Sequence, residues 1–212
     1  MGAILHYIYD PLCGWCYGAM PLVGGAETVE GLELALHGGG LWPQPTKLAA
    51  EMRRYIKQAD ARIAEMSGQP FGPAYLDGLL DDPELVLESR PTIAAVLAAQ
   101  TLDAGKALPM LRAIQRAHYV EGRRVVEPEV LDALAQSIGL SAADFAQARA
   151  SVPVDAHIED TRRLMAQIGA AGFPAFVLQI GERLFGVPHQ QFAAEPAAFA
   201  GWLDRELQAR AA

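Results

Sequence analysis

The chain has 212 residues, 51% of them hydrophobic, and a net charge of -8. That length holds one large domain or a domain with a sizeable insertion, and the apolar content is too high for disorder. The acidic balance offers no basic footprint for nonspecific nucleic-acid binding, and no apolar run reaches the ~18 residues of a membrane span.

Residues 4–9 form an apolar, β-prone run. The chain enters it directly, without the basic, apolar and small-residue segments of a secretory signal, so a cytoplasmic location is expected. Residues 14–27 read as a helix. Residues 32–37 alternate so that the leucines share one face, and Gly38-Gly39-Gly40 ends that strand. Strand, helix and strand in this order predict a parallel pair with a right-handed crossover.

From residue 46 to 154 the pattern is wholly helical. Thr46 is a candidate N-cap, and Leu48, Met52, Tyr55, Ile56, Ile63 and Met66 give a helical stripe. A Gly- and Pro-rich loop covers residues 68–73. Helices are expected over 91–102, 109–120, 127–138 and, capped by Ser141, up to 150. From 155 to 212 the structure is mixed again. A helix over 155–168 ends at Gly169, strands over 175–180 and 183–187 form a hairpin about Gly181-Glu182, and a helix over 195–209 closes the chain before an alanine-rich tail that frays.

The chemistry is concentrated in Cys13-Gly14-Trp15-Cys16, which holds both cysteines of the chain. A strand that ends in Cys-x-x-Cys and opens a helix places a sulfur at free N–H groups and the positive end of the helix dipole. A thiolate is stabilised there, and the thiolate is the reactive form. The second cysteine, one turn on, can attack a mixed disulfide formed at the first. A structural zinc site wants four ligands, and the chain has no second Cys-x-x-Cys and no histidine within the motif, so no metal is expected. In a reducing compartment a lone pair is catalytic rather than a staple, because a bridge across two residues closes too small a loop to stabilise much. Trp15 is a candidate substrate contact. Trp42 is assigned to covering the junction with the helical region, and neither His37 nor His189 is assigned to the site.

Asp10-Pro11-Leu12-Cys13-Gly14-Trp15-Cys16-Tyr17-Gly18, Gly172-Phe173-Pro174-Ala175 and Arg116-Ala117-His118-Tyr119-Val120-Glu121-Gly122 together resemble the DsbA family of thiol–disulfide oxidoreductases. They resemble most its FrnE-like branch of protein disulfide isomerases. The resemblance implies an α/β thioredoxin-like fold split by an all-helical insertion domain of about 100 residues. The thioredoxin-like domain is then discontinuous, 1–45 and 155–212, around an insertion of 46–154. The resemblance makes Cys13 the nucleophile, Cys16 the resolving thiol and Pro174 a cis-proline facing them. It gives Phe173 backbone groups for an extended substrate.

Two departures from the family pattern matter. Its members carry a carboxylate six residues before the first cysteine. Here that position is Tyr7 and the nearest acid is Asp10, which leaves these two as candidates for a proton relay. The dipeptide Gly14-Trp15 also lacks the histidine of strong DsbA oxidants, which implies a less oxidising disulfide.

The expected activity is therefore thiol–disulfide exchange, as oxidoreductase or disulfide isomerase, on protein or small-molecule thiols and disulfides. No cofactor is required, although glutathione can serve as thiol co-substrate. Two alternatives remain. Kappa-class glutathione transferases and 2-hydroxychromene-2-carboxylate isomerases share the split architecture, but they usually keep a single serine or cysteine, and the retained Cys16 argues against them. A chaperone-like binding module would use a groove between the two parts. No heptad run demands a dimer, and the oligomeric state stays open.

Overall fold

The β-prone run at the start of the chain becomes the middle of a sheet. The computed structural model describes residues 2–211. In chain order the elements are β1 (Ala3–Tyr9), α1 (Gly14–Gly18), α2 (Met20–Ala26), β2 (Leu32–Gly38), β3 (Thr46–Lys47), α3 (Ala50–Ser67), a π-helical turn (Ala74–Leu79), β4 (Val86–Leu87), α4 (Ser89–Leu102), α5 (Ala107–Tyr119), α6 (Pro128–Ser137), α7 (Ala142–Ser151), α8 (Val154–Ile168), β5 (Ala175–Ile180), β6 (Arg183–Gly186) and α9 (Pro196–Ala211). The main sheet has the order β2-β1-β5-β6. β1 runs parallel to β2 and antiparallel to β5, and β5 and β6 form the expected hairpin. This is the α/β thioredoxin-like fold, with helices inserted between its second and third sheet strands.

Both faces of β1 are covered, and all its residues but His6 are apolar or aromatic. Leu5, Tyr7 and Tyr9 point to one side, where Tyr7 stacks on Phe176 with ring centroids 4.7 Å apart. Phe199 and Leu203 of α9 close that side, both fully buried. The opposite side carries His6 and His37, whose ring nitrogens lie 2.8 Å apart. There α8 packs on β2, and the Gly38 amide donates to His157 Nε2 at 3.0 Å.

The inserted helices have a core of their own that is continuous with the sheet's. Met110, Leu111 and Ile114 of α5 are fully buried, as are Ala95, Ala98 and Ala99 of α4. The small side chains of α4 let α5 and α7 approach it closely.

Several boundaries differ from the sequence pattern. The helix expected over 14–27 is interrupted at Ala19, just before Pro21, which has no N–H to give. Thr46 is not a helix cap. It pairs with Leu87 in the small β3–β4 ribbon, so the inserted region is mostly rather than wholly helical, and α3 begins at Ala50. The stripe on α3 is only partly interior. Ile63 is buried, but Met52, Tyr55 and Met66 are exposed. The π-helical turn after the Gly- and Pro-rich loop was not anticipated. Ser141 does cap α7, accepting from the Asp144 amide. The last helix runs on through Ala211; the final residue of the expected tail, Ala212, lies outside the described residues.

α3 packs on the two glycines of α1, Gly14 and Gly18. A Cβ on Gly18 would lie 2.5 Å from Ile63 Cγ2, far inside contact distance. Gly18→Ala is therefore expected to lower stability by about 1–3 kcal/mol through overpacking. Ile63→Ala, which removes the Cγ2 methyl that the new Cβ meets, should cost less in the Gly18→Ala background than alone. Urea unfolding of the two single variants and the double variant measures the coupling.

Buried imidazoles make the fold acid-sensitive. Burial holds His118 at a pKa of about 4, opposed by a hydrogen bond with the Arg123 backbone. Burial, with His6 and His157 nearby, brings His37 to about 4. Between the ordinary histidine value and about 4 the unfolded chain binds more protons than the folded one, so stability falls as pH drops through that window. His118 alone accounts for a loss on the order of 3 kcal/mol. Asp60 acts with the opposite sign, since burial raises its carboxyl to about 6 and the folded state holds that proton more tightly. His118→Asn is expected to flatten the acid limb of unfolding free energy against pH, and Asp60→Asn to steepen it.

Candidate active site

β1 ends at Tyr9 and delivers the chain to Cys13, the N-cap of α1, in extended conformation (φ -102°, ψ 114°). Cys16 follows one turn later inside the helix. Both cysteines are free thiols. Cys13 retains 6% exposure and Cys16 none, so only Cys13 can meet a substrate. The Cys13 thiol lies 3.9 Å from the Phe173 carbonyl oxygen. The Phe173–Pro174 peptide is cis, as the family resemblance implies.

The two sulfurs sit in different surroundings. Cys16 Sγ accepts from the Asp10 amide at 3.4 Å, and its carbonyl oxygen accepts from the Tyr7 hydroxyl at 2.8 Å. Burial pushes the Cys16 thiol well up, and its hydrogen bond with Cys13 adds to the shift. Cys16 therefore keeps its proton until the chemistry at Cys13 calls on it.

The two relay candidates both lie beside Cys16 and hold hydrogen bonds of their own. The Tyr7 hydroxyl donates to the Cys16 carbonyl, and burial, with the Cys16 and Cys13 thiols nearby, raises its pKa well above the ordinary phenol value. Asp10 is fully buried. It accepts from Leu12 N at 2.9 Å and Leu41 N at 2.7 Å, with Ser89 also hydrogen-bonded to it. Ser89 in turn accepts from Trp42 N at 2.8 Å. Asp10 thus ties the cysteine loop to the segment after β2 and to the start of α4. Burial still raises its pKa against those hydrogen bonds.

Trp15 is 41% exposed and stands between two clefts. One, of about 380 Å³, runs past Phe173, Pro174, Arg62, Met66 and His189. Phe173 lines it, and its ring packs against Gly39 with the Arg162 guanidinium 5.0 Å above it. The other cleft, of about 240 Å³, reaches Cys13 from the helical side. Trp42 lines it and donates to the Leu12 carbonyl at 3.5 Å, so it faces the cysteines as well as covering the junction. His189 borders the first cleft, while His37 lies on the far side of the sheet.

Three residues that the sequence pattern left unassigned share the second cleft: Asp60, His118 and Tyr119. Asp60 lies on α3 and is 2% exposed. The Tyr75 hydroxyl donates to its Oδ2 at 2.8 Å, and its Oδ1 would lie 2.5 Å from a Cβ on Gly14. Tyr119 stacks on Tyr17 of α1 at 4.8 Å. The motif from Arg116 to Gly122 was the available signal, because it is where α5 ends against the active helix. Asp60 carried none, being one acid on a helix rich in charge. Among the described residues, no three His, Cys, Asp or Glu side chains gather as a metal site, and no helix is long and apolar enough to cross a membrane.

Comparison with known proteins agrees with this geometry. No curated protein matches the chain. Among solved structures, the cytosolic disulfide reductase DsbM from Pseudomonas aeruginosa is 47% identical, with a TM-score of 0.89 over 97% of this chain and 98% of that one. The same reductase with GSH superposes with a TM-score of 0.87 over 97% and 99%, also at 47% identity. A proposed protein disulfide isomerase from Nitrosomonas europaea shares the fold at 24% identity, with a TM-score of 0.85 over 99% of each chain. The DSBA-like thioredoxin domain matches residues 4–196. With its Cys-x-x-Cys pair at the head of α1, the chain belongs to the DsbA-like thioredoxin family of thiol–disulfide oxidoreductases.

Proposed function

We propose that the protein is a cytoplasmic disulfide reductase that draws its electrons from glutathione. The observation that carries the exchange chemistry is the asymmetry of the two thiols, one at the mouth of the clefts and one sealed beneath it as a neutral thiol. The Cys13 thiolate attacks a substrate disulfide. A Cys13–substrate S–S bond forms, the substrate S–S bond breaks, and the departing sulfur takes a proton from solvent. Cys16 then attacks Cys13 Sγ, its proton passing to the second substrate sulfur that this expels, and the Cys13–Cys16 disulfide is left. Two electrons have passed to the substrate. Two glutathione thiols return them by the same exchange and leave as glutathione disulfide.

Phe173 and Pro174 border the cleft along which a substrate backbone would run, with Trp15 over its mouth. This arrangement supports strand-like docking beside the sulfurs. The absence of a histidine between the cysteines supports a poise toward reduction. Likeness to a 47% identical cytosolic disulfide reductase, solved also with GSH, supports the same direction, location and co-substrate. We further propose the division expected from the sequence, with the thioredoxin-like part in 1–45 and 155–212 carrying the chemistry and 46–154 shaping substrate access.

Equilibration with glutathione redox buffers, read by Trp15 fluorescence, is expected to give a potential near the thioredoxin value of about -270 mV. A value near about -120 mV would make the protein an oxidant and overturn the proposal. Cys13→Ser is expected to abolish glutathione-driven reduction of a protein disulfide, read as the glutathione disulfide formed. Cys16→Ser should instead accumulate a mixed disulfide with one glutathione, seen as one added glutathione by intact mass.

A further inference from the structure

Asp60 is the one carboxyl in the Cys13 cleft, and no step of the exchange above uses it. It comes from α3, within the inserted helices, and not from the strand position where the family carries its acid. Its oxygens are unequally used. Oδ2 accepts from Tyr75, whereas among the described residues no hydrogen bond reaches Oδ1. Oδ1 is instead pressed against Gly14, the residue bonded to Cys13. The surrounding wall is apolar, with Ile56, Ile63, Leu80 and Leu87 lining it. A carboxylate and a thiolate in such a cleft repel more strongly than they would in water.

We propose that Asp60 sets the reactivity of Cys13 and makes it pH-dependent: as a carboxylate it opposes the thiolate across the cleft they share, and on protonation it releases that opposition. By disfavouring the reduced, ionised form, the carboxylate keeps the pair a reductant. The proposal rests on Cys13 being the attacking thiol.

The other groups around Asp60 do not titrate in the same range. Burial holds Asp60 at about 6, with the Tyr75 hydrogen bond pulling the other way. Tyr75 of the π-helical turn and Tyr119 of α5 are raised by burial and stay neutral. His118 of α5, at about 4, is neutral above that value. On α3 itself, Lys57 one turn before Asp60 is paired with Asp77 and Asp81. Asp10, held by two backbone amides, lies outside the cleft that Asp60 shares with Cys13, so across that cleft the charge facing Cys13 changes between pH 5 and 8 through Asp60.

The test compares the wild-type protein with Asp60→Asn, which keeps the shape and the Tyr75 contact. Alkylation of Cys13 by iodoacetamide is followed from pH 5 to 8, on a Cys16→Ser background so that one thiol reports. At pH 7 Asp60→Asn is expected to react about tenfold faster, a like-charge effect of ordinary size, with the two rates converging near pH 5. With both cysteines present, equilibrium with glutathione should shift about tenfold toward the dithiol, or about 30 mV less negative. Equal rates at every pH, or a constant ratio from pH 5 to 8, would overturn the proposal, the second because it marks a merely structural role. If Asp60→Asn does not fold, Tyr75→Phe serves. It removes the hydroxyl that stabilises the carboxylate, so the convergence of rates must move to higher pH, and an unmoved profile overturns the proposal. Absence of any reversible dithiol–disulfide transition in the wild-type protein would instead sink the reductase reading.

Discussion

The contact between α1 and α3 is the constraint on which the rest of this structure depends. Two helices meet here with no side chain on the α1 side, because Gly14 and Gly18 face Asp60 and Ile63. Any larger residue at either position would push the inserted helices off the cysteine helix. The close approach brings the inserted helices over Cys13, closes one wall of its cleft, and leaves Trp15 as the exposed divider between two grooves. Tyr17 and Tyr119 extend the same contact by stacking, and the Tyr17 hydroxyl donates to the Pro70 carbonyl at 2.9 Å. The insertion is thus a wall of the site as much as an addition to the fold.

Within that frame the two sulfurs are assigned different work by solvation. Cys16 lies under the helix, against the backbone amide of Asp10, where a charge would be costly, so it stays protonated. Cys13 sits at the edge, beside the Phe173 carbonyl, where a substrate sulfur can reach it. The order of attack and resolution follows from this difference in burial. The acids are divided in a comparable way. Asp10 has both oxygens committed to holding loops together, whereas Asp60 has one oxygen free at the cleft.

Much of this was legible in the residues. The period-two run at the start of the chain, the Cys-x-x-Cys that follows it and the hairpin about Gly181-Glu182 are local signals, and β1, α1, β5 and β6 fall where those signals put them. Other elements were misread because their state is settled by distant partners. Thr46 has the chemistry of a cap, yet it pairs with Leu87, 41 residues away in the chain. Met52, Tyr55 and Met66 have the spacing of a buried stripe, yet they stay exposed around the clefts. Periodicity reports which residues share a face and not what covers that face.

The sequence by itself determined the reaction class, because a sulfur pair three residues apart between a strand and a helix is a local arrangement with few other uses. Local signals also predicted the parallel pair and the hairpin, and the family resemblance the proline opposite the sulfurs. Only the tertiary structure decided which acid faces Cys13. Asp10 is three residues from Cys13 and Asp60 is 47, yet Asp10 is turned into loop contacts while α3 carries Asp60 against Gly14. The physical reason is that burial and charge act through space, where the packing of α3 on two glycines counts for more than distance along the chain.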